Sequence, residues 1–229
     1  EVRVRRDESA LVIEVSDGLG VCPSFDSIVT LYDPAGMVLV SDDDGGDPPC
    51  VCYIDITSGK LLDKVVLDSP LFNTGHIALS TRGDLAIISA PREGLPSPNE
   101  QLGALSIRPL GEDVLTVKKP GSVVQRMRGE TLSLSIVEAA QLVIATNPFG
   151  NLVSMWNLRD GTYVGKIDLE GPRGVCQSLD KDWFLISHVE DKSVALTAYS
   201  CGNRKPTGWA LNPSFMSGSH IVCHDLGPQ

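Results

Sequence analysis

His220 and His224, four residues apart in "HIVCH", have the side chains of a zinc site. The β-branched and apolar residues between them predict a strand. Positions i and i+4 of a strand share a face but lie two pleats apart, too far to hold one ion without a bend. Cys223 falls on the other face. The acidic run of Asp42, Asp43, Asp44 and Asp47 offers carboxylates to calcium, but without the alternating spacing of a calcium loop it reads as a solvated turn. Cys50 and Cys52 share one face of a strand, where they can pair, hold a soft metal or pack as small hydrophobes. No GxSxG elbow, HExxH or phosphate loop occurs, and no nucleophile stands beside a base. The sequence therefore names no catalytic residue, no metal site and no cofactor.

The elements around these residues are short. Runs of Val, Ile, Leu, Thr and Ser are broken every eight to twelve residues by Gly, Asp, Asn or Pro, which predicts an all-β chain. The runs recur in fours. "SIVTLYDPAG", "MVLVSDD", "CVCYIDIT" and "LLDKVVLDS" make one unit, and "IALS", "LAIISA", "GALSIRPL" and "VLTVKKP" the next. "LSLSIVEA", "LVIATNPF", "LVSMWNLR" and "YVGKIDLE" follow, then "GVCQSLD", "WFLISHVE", "VALTAYS" and a ragged "GWAL". First strands starting near Ile28, Ile77, Leu132, Val175 and His220 are 49, 55, 43 and 45 residues apart. Four strands per 40 to 50 residues is the period of a β-propeller blade. Asp160-Gly161 supplies a tight turn, and Trp156 is placed to fill space between blades. "EVRVRR", "ALVIEV" and the terminal "HIVCHDL" add three strands that can join in a mixed, ring-closing blade. The expectation is a single propeller domain over residues 1–229 with about five blades' worth of antiparallel strands, or part of a larger ring.

Asp and Glu outnumber Lys and Arg by 29 to 19, for a net charge of -10. That balance repels nucleic acid and anionic lipid. No run approaches the roughly 20 apolar residues of a membrane span. A soluble monomer is expected.

In their order and spacing, "NTGHIALSTRGDLAI", "APREG", "LGALSIRPLG", "SVVQRMR" and "GETLSLSIVEAAQLVIATNPFGNLVSMWNLRDGTYVGKIDLEGPRGV" resemble the C-terminal part of the DUF1513 family. The resemblance runs from about Ser27 to Asp225. It implies a seven-bladed propeller with further N-terminal blades, a secretory leader and hence the periplasm. It also implies gene neighbours of the imelysin type, tied to iron uptake. The cysteines depart from the family pattern.

Blade geometry then nominates a site. Residues just before each innermost strand face one rim of the channel, and these are His76, Glu130, Arg173 and His220. Arg92 and Glu93, in the long loop "PREGLPSPNEQ", form a second candidate surface. The function expected is a non-enzymatic periplasmic binding module for a protein or small ligand at the rim, linked to iron acquisition. The alternative is a metal-dependent, lactonase-like hydrolase using Glu130, Asn147 and Asn151 in the channel.

Overall fold

The computed structural model describes the backbone of four strands among the first 49 residues. Beyond them it describes residues 50–91 apart from 56, 57, 59, 68 and 70, then 102–215, 218 and 220–223. β1 (Val2–Asp7) and β2 (Ala10–Val15) pair with each other in a sheet of their own. The remaining strands form four antiparallel sheets of four, each a meander in chain order. The first holds β3 (Val29–Tyr32), β4 (Met37–Asp42), β5 (Cys50–Asp55) and β6 (Leu61–Val66). The second holds β7 (Ile77–Leu79), β8 (Leu85–Ser89), β9 (Ala104–Arg108) and β10 (Leu115–Thr116). The third holds β11 (Ser133–Val137), β12 (Leu142–Asn147), β13 (Leu152–Asn157) and β14 (Tyr163–Asp168). The fourth holds β15 (Val175–Gln177), β16 (Trp183–Glu190), β17 (Ser193–Ser200) and β18 (Pro206–Leu211).

Successive sheets pack face to face, and the strand sequences explain why. Every residue of β8 and β12 is buried, because each of these strands has a neighbouring sheet on both sides. Leu85 and Ile87 point toward Val51, Tyr53 and Val65 of the first sheet. Ala86 and Ile88, one residue out of phase, join Val143, Leu152 and Trp156 of the third. Ile144 turns the other way, to Phe184 and Ile186 of the fourth. A continuous apolar run with period-two alternation between two interfaces is the mark of a strand buried on both faces. Each fully buried Leu, Ile or Phe contributes about 1.5–3 kcal/mol. The outermost strands read differently: β14 alternates between half-buried and exposed, and β18 is exposed throughout. In three sheets the pairing of third and fourth strands shifts register, at Tyr53/Ile54, Met155/Trp156 and Thr197/Tyr199. Such bulges strengthen local twist at the rim of each sheet.

Turns and crossings also follow from named residues. Between β7 and β8, the Asp84 carboxylate accepts from the Ser80 hydroxyl at 3.0 Å and from the Leu110 amide at 3.1 Å. Between β10 and β11 a short helix, α1 (Gly121–Val124), leads into "RMR", which buries Val123 and Met127 under Trp156. Arg126 then crosses the "PFGN" loop, donating to the carbonyls of Gly150 and Asn151 at 2.9 and 3.0 Å. A Cβ on Gly150 would lie 1.9 Å from the Arg126 carbonyl oxygen, so only glycine fits that crossing.

One expectation is corrected. The described pairings do not join β1 and β2 to the C-terminal segment, and residues 220–223 form no strand. Side chains hold that segment instead: Ile221 packs on Cys176 and Leu196, and the Ser187 hydroxyl donates to the Gly218 carbonyl.

Candidate binding site

β7, β11 and β15, the innermost strands of three sheets, surround a cavity of about 510 Å³, and residues 220–223 complete its wall. Hydroxyls knit the strands at this end. Ser133 Oγ accepts from the Val175 amide at 3.2 Å, and Thr146 donates to the Arg173 carbonyl. His76 is fixed by its own backbone, whose carbonyl accepts from the Ile88 amide at 2.9 Å. Arg173 is set by its amide, which donates to the Ser187 carbonyl at 2.8 Å.

The mouth brings together residues far apart in the chain. The rings of His76 and His220 lie 3.6 Å apart between centroids, tilted by 35°. Burial, and the His220 ring beside it, push His76 down to about 4. His220 is lowered by desolvation and by the Arg173 charge. Both imidazoles are thus neutral at pH 7 and can each donate and accept a hydrogen bond. Partial burial raises the Glu130 carboxyl, while Arg173 pulls it the other way. His76 and His220 line the cavity; Arg173 does not, but its charge reaches both His220 and Glu130. The sequence reading missed Ser133, Ser135 and Gln177 on the wall, which only the ring of first strands makes neighbours.

The other candidates fare differently. Arg92, Glu93 and His224 lie outside the described residues, as do Asp43, Asp44 and Asp47. Cys50 and Cys52 share a face of β5 with their sulfurs 3.9 Å apart. Asn151 reaches the connection after β14, its Oδ1 accepting from the Gly171 amide at 2.9 Å. Asn147 is fully buried, its Nδ2 on the Thr131 hydroxyl at 3.0 Å. None of Glu130, Asn147 and Asn151 lines the cavity: Asn147 Nδ2 is tied to Thr131, ahead of β11, and Asn151 Oδ1 to the Gly171 amide, after β14. Among the described residues no three His, Cys, Asp or Glu side chains come together as a metal site.

Four-stranded meanders packed face to face around a channel define a β-propeller. The chain belongs to the DUF1513 family, described as "Protein of unknown function (DUF1513)", which matches residues 47–217. No curated protein matches it in sequence. Among solved structures, hydrazine synthase of Kuenenia stuttgartiensis aligns with 76% of this chain and 58% of its own, at 14% identity and a TM-score of 0.56. A calcium-binding protein, regucalcin, from Agrobacterium tumefaciens aligns over 84% and 60%, at 14% identity and a TM-score of 0.51. The Dos1 propeller aligns over 78% and 46%, at 12% identity and a TM-score of 0.51. In each case the chain spans less than two thirds of the other's length, and the likeness is one of fold.

Proposed function

We propose that this propeller is a non-enzymatic binding module whose ligand sits at the channel mouth, over His76 and His220, and carries a carboxylate. The observation behind this is the close pair of neutral imidazoles, one of them within reach of the Arg173 charge, lining a cavity of small-molecule size. A guanidinium is matched to a carboxylate by geometry and charge, and neutral imidazoles add hydrogen bonds without repelling it. Glu130 lies within reach of the Arg173 charge and offsets it. The family resemblance adds the setting: the periplasm, and a ligand connected with iron acquisition.

Isothermal titration with citrate, alone and with ferric iron, tests the reading at pH 7.5. Saturable one-to-one binding is expected for at least one of the two, weakened at least tenfold by Arg173→Met. Flat titrations with both, or affinity unchanged in the variant, overturn it.

A further inference from the structure

Cys176 and Cys223 are both thiols, 47 residues apart in sequence, with sulfurs 3.4 Å from each other. Cys176 is the second residue of β15, on the channel wall. Cys223 belongs to the segment that carries His220, and it borders both the channel and a groove lined by Trp183 and Trp209. The segment approaches β15 closely: a Cβ on Gly174 would lie 3.0 Å from the Ile221 amide nitrogen. Among the described residues it is held by Ile221 on a small apolar cluster, a hydroxyl bond to Gly218, and the ring of His220 on His76.

We infer that Cys176 and Cys223 are a disulfide modification site, a redox clasp that fixes the 220–223 segment as the fourth wall of the channel. A disulfide needs sulfurs about 2 Å apart, which small side-chain rotations from the present contact supply. The oxidant is a small or protein disulfide, and the step is exchange. The Cys223 thiolate attacks one sulfur of the incoming disulfide, forming a mixed disulfide and expelling one thiolate. Cys176 then attacks the Cys223 sulfur and expels the second. Two protein thiols are oxidised, one disulfide is reduced to two thiols, and the two protons pass to the leaving thiolates. The order follows from placement. Cys223 is half-exposed, whereas burial and the neighbouring Cys223 push Cys176 up to about 12, so it reacts only once its partner sulfur has been activated. Oxidation thus keeps His220 on His76, and reduction lets the segment, with that wall, come away. The clasp stands whatever ligand the mouth takes.

Oxidised glutathione is the probe. After incubation with it, non-reducing peptide mapping is expected to show one cross-linked pair joining Cys176 to Cys223. Amide exchange at residues 220–222 is expected to slow at least tenfold relative to the reduced chain. In Cys223→Ser and in Cys176→Ala the pair is absent and the slowing is lost. The inference is overturned if both thiols still alkylate fully after oxidation, if Cys223 retains glutathione as a lasting mixed disulfide, or if Cys176 pairs with another cysteine.

Discussion

His76 carries the clearest electrostatic signature of the mouth. Its proton affinity falls from the ordinary 6.5 to about 4 in the folded chain, first through burial and then through His220. The unfolded chain therefore binds more protons than the folded one between those two values. The stability that neutral His76 contributes is complete above pH 6.5 and is lost as the pH falls toward 4. Glu130, raised by desolvation, works in the opposite direction as the pH falls toward its ordinary 4.5. Asp84 and Asp168 are held below their usual value, so their contributions fail only in stronger acid. Thermal melts at pH 7 and pH 4.5 are expected to show a smaller loss for His76→Gln than for the native chain. Parallel losses would mean that His76 is not held neutral. His76, Glu130 and Arg173 could be picked from the blade period, since each shortly precedes the first strand of a sheet, whereas His220 precedes no strand. The contact between the two histidines was not legible in the sequence, because His76 and His220 stand 144 positions apart and meet only through the path of the C-terminal segment.

Among the elements, the third sheet shows best how a strand is read. "LVSMWN" alternates Val153 and Met155 toward the fourth sheet with Leu152 and Trp156 toward the second. Trp156 is fully buried, edge-on to Tyr163, with ring centroids 5.4 Å apart. Its indole N–H finds no acceptor among the described residues, however. Removing the ring outright by Trp156→Ala is expected to cost about 3–5 kcal/mol. Trp156→Phe should cost much less, because a phenyl keeps part of the packing and abolishes a donor left unpaired. Urea unfolding of both variants checks the ordering, and equal losses would show that the N–H is satisfied in solution. The run of apolar residues announced the strand, and Asp160-Gly161 its turn, with Gly161 at a φ of 65°. The bulge between Met155 and Trp156 had no such signal, since register depends on the partner strand rather than on the strand itself.

At the scale of the whole molecule, the binding-module and hydrolase readings part over a metal. A hydrolase of the lactonase kind needs a divalent ion held by carboxylate and amide ligands. Since no three His, Cys, Asp or Glu side chains gather as a metal site among the described residues, native mass spectrometry is expected to show a monomer of 24.5 kDa without a retained ion. A stoichiometric divalent ion that disappears in Glu130→Gln would put the hydrolase first. By itself the sequence determined the class and period of this protein. Hydrophobic alternation and turn residues act over a few positions, and four such strands recur four times. The motif "NPFGN" and the preceding "RMR" were visible as a pair, but their reason is spatial: Arg126 crosses where Gly150 leaves room. The tertiary structure alone decided that residues 220–223 lie along β15 by side-chain contacts instead of joining a sheet. It alone set Cys223 against Cys176 and His220 against His76. Local propensity prescribes a strand there, but long-range packing on Gly174, Cys176 and Ser187 decides where the segment lies, and no local pattern encodes those partners.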